Sequence, residues 1–194
     1  MTTPERGFPD DEFAARCAAM QAAMAREGVD AMLFASEPEI RYFTGFLTPF
    51  WQSPTRPWFL VMPPEGKPVA VIPSIGGPLM RSCYAGEVFT WSSPAAEDDG
   101  ISLLRDVLRR YLGTAGRLGM MMGRETALRM PLADFLELQH SMEGTMDNMV
   151  LHDMTAAVQR IRMVKSRREI AKISHICGLA CDVFEAVSYT HLTL

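Results

Sequence analysis

Apolar residues recur in this chain with two different periods, and the alternation between them outlines the fold. Phe13, Cys17, Met20 and Met24 recur at three and four, the spacing of one helical face, with Asp10 or Asp11 as cap and Gly28 as stop. "VDAMLFA" (29–35) is an unbroken apolar run that reads as a buried strand, and "EPEIRYFTGF" as a short helix ending at Gly45. "LTPFWQSPTRP" (47–57) carries three prolines and breaks regular structure. "WFLVMP" and "KPVAVIP" read as two strands joined through "PEGK" in a hairpin, followed by a short helix at "GPLMRSC" and a strand at "EVFTW". Asp98 or Asp99 caps a helix carrying Ile101, Leu104, Leu108 and Tyr111. "RLGMMM" reads as a strand, "PLADFLELQH" as a helix with Pro131 in its first turn, and "TMDNMVL" as a last short strand. "TAAVQRIRM" leads by a helical turn or two into a final helix.

That final helix has the sharpest local signal. Ser166 is followed three residues later by Glu169, the spacing at which the hydroxyl accepts from the N3 amide and the carboxylate reaches back to the N-cap amide. Ile170, Ile173, Cys177, Ala180, Phe184 and Val187 form one apolar stripe, while Arg168, Lys172, His175 and Asp182 fall opposite. A stripe of that length needs a surface to bury it.

Strands alternating with helices predict an α/β fold, a sheet flanked by helices on both faces. The hairpin between 58 and 72 makes the sheet mixed. The expected organisation is one domain over 1–162, then a linker and the first helix of a further unit over 163–187. The tail 188–194, "SYTHLTL", departs from the stripe and reads as non-native.

Composition narrows the function classes. A net charge of −4 leaves no basic footprint for nucleic acid or an anionic membrane. No apolar run approaches the roughly 20 residues of a membrane span. The acidic start "MTTPERGFPDDEF" has no apolar signal core, which predicts a cytoplasmic protein. The four cysteines show no CxxC pairing, and the 15 methionines suit adaptable core filler.

Candidate chemistry is sparse. Four histidines include no HExxH and no i, i+4 pair. His152 stands beside Asp153, but neighbours in sequence rarely face each other in regular structure. Cys177 and Cys181 share a helix face without two further ligands for a metal. The glycine-containing stretches match no phosphate loop, and the acidic "EDDG" suits a helix start better than a two-metal centre. "FWQSPTRPW" is the exception: Phe50, Trp51 and Arg56 sit in a proline-stiffened loop, and Trp58 begins a strand. Two readings stay open for the loop aromatics, a binding surface beside an arginine or a lid over the domain's own core.

Taken together, "GVDAMLFASEPEIRYFTGF", "RPWFLV" and "RIRMVKSRREIAKI" resemble the N-terminal domain of the creatinase, prolidase and aminopeptidase P family. Arg162, Lys165, Ser166 and Glu169 match the segment that leads into that family's catalytic domain. The resemblance implies a non-catalytic domain of a C–N bond hydrolase, such as an Xaa-Pro peptidase or a creatinase-like enzyme. It also implies a pair of divalent metal ions (Mn, Co or Zn) bound by two Asp, one His and two Glu beyond Leu194, and no catalytic or metal-binding residue in this stretch. Its implied partners are that catalytic domain, a second subunit in a homodimer, and a dipeptide or other small substrate. Arg56, with Phe50 and Trp51, is then the candidate for contact with the neighbouring subunit's substrate, the guanidinium holding a carboxylate. Against this stand a self-sufficient α/β module that binds a small molecule and a non-enzymatic relative that binds protein.

Overall fold

The structure is a computed structural model that describes residues 3–53, 56–112, 116–143 and 149–191, with the side chains of 143 and 188–191 not described. It divides into two compact units, Pro9–Ile161 and a second comprising Met1–Phe8 with Arg162–Leu194.

The larger unit is built on a six-stranded mixed sheet. Its strands are β1 (Ala31–Phe34), β2 (Phe59–Met62), β3 (Val69–Pro73), β4 (Val88–Trp91), β5 (Arg117–Met120) and β6 (Val150–Asp153), ordered β4-β3-β2-β1-β5-β6. β1, β2 and β3 pair antiparallel, whereas β4, β5 and β6 each join parallel to a neighbour. The helices are α1 (Asp10–Glu27), α2 (Glu37–Thr44), α3 (Gly77–Arg81), α4 (Ile101–Leu112), α5 (Leu132–Glu143) and α6 (Thr155–Met163). The α/β architecture with a mixed sheet and flanking helices is the one the hydrophobic pattern predicts.

Strand alternation divides the core in two. Met32, Phe34, Leu60, Met62, Ala70 and Ile72 point to the face covered by α1, α2 and α6. Their neighbours Ala31, Leu33, Phe59, Val61, Val69 and Val71 point to the face covered by α4 and α5. Both faces of the central strands are therefore dry, which is why those strands read as unbroken apolar runs rather than as alternating ones.

Local signals held at most boundaries. Gly28 (φ 66°) and Gly45 (φ 78°) close α1 and α2 in the left-handed conformation, which an L side chain rarely adopts. Asp98 rather than Asp99 caps α4, its carboxylate accepting from the amides of Ile101 (2.7 Å) and Ser102 (3.1 Å). Asp99 instead accepts the indole N–H of Trp91 at 2.7 Å. Three expectations are corrected. Pro9 is the N-cap of α1, so Asp10 and Asp11 lie in its first turn, where carboxylates suit the positive end of the dipole. Pro131 precedes α5, its carbonyl accepting from Phe135 N at 3.1 Å. The last strand begins at Val150, and the preceding "TMDN" lies outside the described residues.

The smaller unit contains α7 (Arg167–His191). Both halves of its capping box form: Glu169 N donates to Ser166 Oγ at 3.1 Å, and Ser166 N to Glu169 Oε2 at 2.8 Å. Lys172 donates to the Glu5 carbonyl and lies 5.0 Å above the Phe8 ring. The apolar positions of α7, from Ile170 to Val187, are exposed. The helical backbone continues to His191, and residues 192–194 of the tail lie outside the described residues.

Candidate functional site

The segment between α2 and β2 is ordered by short-range bonds. Thr48 Oγ1 accepts from Phe50 N at 3.3 Å, and Pro49–Gln52 form a single 3-10 turn. A tight turn sends successive side chains in different directions. Phe50 emerges 39% exposed, whereas Trp51 turns inward and is 8% exposed.

Trp51 thus belongs to the core, as the lid reading of the loop aromatics has it. It meets Phe46 edge-on at 6.2 Å and Trp58 at 5.7 Å. Trp58 is fully buried beside β2, and Phe50 stacks on it at 6.4 Å with 15° between the rings. Gly76 makes room for Trp58: a Cβ there would lie 2.3 Å from its Cζ3. The two readings of the loop aromatics divide by residue, Trp51 serving as a lid on the core and Phe50 facing solvent. Arg56 is half-buried and makes no hydrogen bond or ion pair with any described residue.

One member of this cluster escaped the sequence reading. Arg129, from the irregular stretch before α5, places its guanidinium 5.1 Å from the centroid of the Trp51 ring. Burial pulls its pKa down from the ordinary arginine value, and the Glu37 carboxylate acts against that pull. Arg129 lies more than 70 residues from Trp51 with no periodicity around it, so only the tertiary structure brings the two together.

The remaining candidates have structural partners. Arg117 Nη2 donates to His152 Nδ1 at 2.8 Å. A guanidinium has only donors, so the imidazole proton sits on Nε2, which donates to Glu27 Oε2 at 3.1 Å. Asp153 turns away to accept from Thr155 N and Oγ1, and those bonds hold its carboxyl below the usual range. Burial pushes the Cys17 thiol up to about 12 against the pull of Arg16, which leaves it unreactive. Cys177 and Cys181 are exposed on α7. Among the described residues, no group of three or more His, Cys, Asp and Glu side chains is placed to hold a metal ion. No described helix is long and apolar enough to cross a membrane. A shallow crevice at the carboxyl ends of β1 and β5, lined by Phe34, Ser36, Met121 and Leu128 among others, offers no charged group.

The larger unit is therefore an α/β scaffold with an aromatic–arginine cluster and no assembled catalytic set among the described residues. The chain belongs to the Creatinase/Prolidase N-terminal domain family, whose profile matches residues 16–164. It is 31% identical over 189 residues to creatinase from Bacillus sp. (strain B-0618), a match covering 93% of this chain and 41% of the relative. The chain thus spans well under half the length of that relative. A prolidase from Thermococcus sibiricus superposes with a TM-score of 0.67 at 22% identity, over 85% of this chain and 40% of the prolidase. The Creatinase/Prolidase N-terminal domain of an X-Pro dipeptidase from Streptococcus pyogenes superposes with a TM-score of 0.55 at 18% identity, over 75% of this chain and 98% of that one. At these identities the two structures bear on the fold alone.

Proposed function

We propose that this domain serves a C–N bond hydrolase of the Xaa-Pro peptidase or creatinase kind as its non-catalytic N-terminal part. In that role it shapes substrate access and furnishes dimer contacts, while a catalytic domain holds the two divalent metal ions (Mn, Co or Zn). The observation that carries the reading is the similarity to creatinase, which runs through 93% of this chain and so reaches into α7, beyond the family domain. The capped α7, with apolar side chains facing outward from Ile170 to Val187, fits a helix that packs into the catalytic domain it introduces. The domain boundaries proposed with this role are 1–162 for the N-terminal domain and 163–187 for the linker and first catalytic helix.

Within this reading the 47–58 loop reaches the substrate bound by the neighbouring subunit. In this role Arg56, half-buried and making no bond to a described residue, would grip a carboxylate, and exposed Phe50 would be a second contact. Trp51 is packed in the core against Phe46 and Trp58 rather than touching substrate.

The test is the full-length enzyme with and without Arg56. It is assayed on Xaa-Pro dipeptides and creatine with manganese, cobalt and zinc. Arg56→Ala is expected to weaken substrate binding by about 1.5–3 kcal/mol, as for a hydrogen bond to a charged group, with little change in Tm. Arg56→Lys is expected to recover only part, because an ammonium lacks the planar fork. A lowered Tm with unchanged KM would make the loop structural. Metal-dependent turnover by the 194-residue chain alone would overturn the non-catalytic assignment.

A further inference from the structure

Three N–H donors in the aromatic cluster are buried without an acceptor among the described residues: Trp51 Nε1, Trp58 Nε1 and Arg129 Nη2. Their side chains are neighbours, the Arg129 guanidinium lying 5.1 Å from the centroid of the Trp51 ring and the Trp51 and Trp58 ring centroids 5.7 Å apart. Buried donors left unsatisfied cost about 1–3 kcal/mol each, and native proteins tolerate few of them. The third tryptophan shows the usual arrangement, for Trp91 Nε1 donates to Asp99 Oδ1 at 2.7 Å. Trp51 and Trp58 are each more than nine-tenths buried, so bulk water does not relieve them.

All three groups donate, one carries positive charge, and none can accept. What answers such a set is an oxyanion. The Glu37 carboxylate acts on Arg129 without forming an ion pair with it, so its field opposes a second negative charge on the ligand. Phe50, 39% exposed and stacked on Trp58, is the part of the cluster that can give way to admit a ligand and then lie against its apolar portion. We propose that Arg129 and the indole N–H groups of Trp51 and Trp58 form a binding site for a small monocarboxylate with a compact apolar body. The site lies within one chain and depends neither on a dimer nor on the hydrolase reading. Nor does it use Arg56.

The indole N–H signals report directly on this. The probe is cyclohexanecarboxylate, titrated into the 15N-labelled 194-residue chain at constant ionic strength, with phosphate and chloride in parallel. The expected result is a saturable downfield shift of the Trp51 and Trp58 indole signals while Trp91 stays in place. Phosphate should bind more weakly than the carboxylate, and chloride should not saturate. Arg129→Gln should weaken binding at least about tenfold, the loss expected when a charged hydrogen-bond donor is removed. Trp51→Phe, which keeps a ring and deletes the N–H, should weaken it less. Arg56→Ala should leave it unchanged, which separates this site from the substrate contact proposed above. Indole signals that do not move at saturating probe, or an affinity indifferent to both Arg129→Gln and Trp51→Phe, would overturn the site.

Discussion

Glu12 and Arg16 form an ion pair buried in the first half of α1, and removing its acid should be among the costliest single changes in the domain. The carboxylate and guanidinium are 3.2 Å apart, on residues 7% and 6% exposed. Arg16 also donates to the Tyr42 carbonyl at 2.9 Å and lies 4.3 Å from the centre of the Tyr42 ring, so it joins α1 to α2. Breaking a buried pair from one side costs about 3–5 kcal/mol, because a charge stays behind without its counterion. The two sides are unequal. A guanidinium cannot shed its proton when its acid is removed, whereas in the first turn of α1 the helix dipole favours the charge of Glu12. Glu12→Ala should therefore cost about 3 kcal/mol or more, and Arg16→Met less. Replacing both with apolar residues should recover much of the loss. For a chain of this size about 3 kcal/mol corresponds to a fall in Tm of roughly 6–12 °C. The assay is urea unfolding of the two single variants and the double variant, followed by circular dichroism, with the coupling taken from the cycle. A Glu12→Ala cost below about 1 kcal/mol, the value of an exposed pair, would refute the reasoning.

Other consequences are equally direct. Asp98→Ala should cost about 1 kcal/mol through loss of the α4 cap. Burial pushes the Asp98 carboxyl up, but bonds from Ser102, Ile101 and Gly100 outweigh it and leave the folded pKa lowered. The stabilisation is thus complete above the ordinary aspartate range and fades as pH falls through the lowered folded value, so wild type and variant should converge in acid unfolding curves. Gly76→Ala puts a methyl 2.3 Å from Trp58 Cζ3, and overpacking of that kind costs about 1–3 kcal/mol; unfolding with an unchanged near-ultraviolet tryptophan signal would contradict it. Amides from Ile170 to Val187 should exchange faster than those of β1 and β2, and Ser166→Ala should speed them further by removing about 1 kcal/mol of cap. Protection of that helix equal to the strands would show that its apolar stripe is covered.

The fold was legible where one residue type leaves the chain a single choice. Gly28 and Gly45 mark helix ends because other residues resist a positive φ, and the Ser166–Glu169 box forms as written because its partners are three residues apart. Caps with two adjacent candidates were less legible. Asp98 and Asp99 are chemically alike, and only the position of Trp91 assigns one to the helix and the other to the indole. The site was half legible. Clustered aromatics and an arginine in "FWQSPTRPW" drew notice, but a 3-10 turn decided that Trp51 goes in and Phe50 out. Arg129 and the chain of Arg117, His152 and Glu27 join residues distant in sequence, and no local pattern encodes them.

The strand order also sets a timetable for synthesis. β1 through β4 pair with one another and leave the ribosome before β5, so a growing chain can assemble four strands while one side of β1 is still bare. That side is closed by β5, whose Leu118 and Gly119 meet Ala31 and Met32 from 87 residues downstream, beyond the whole of α4. During the interval β1, one of the two central strands of the finished sheet, is an edge strand, apolar on both faces and without a charged residue to deter a second copy. Gly119 then sets how closely β5 can approach, since a Cβ there would lie 2.8 Å from Met32 Sδ and 2.9 Å from Val29 Cγ1. A fragment stopped at Leu112 should self-associate through β1, whereas a fragment that stays monomeric at micromolar concentration would mean that something else guards that edge. The interval during which that edge stays open is the time needed to translate α4 and β5.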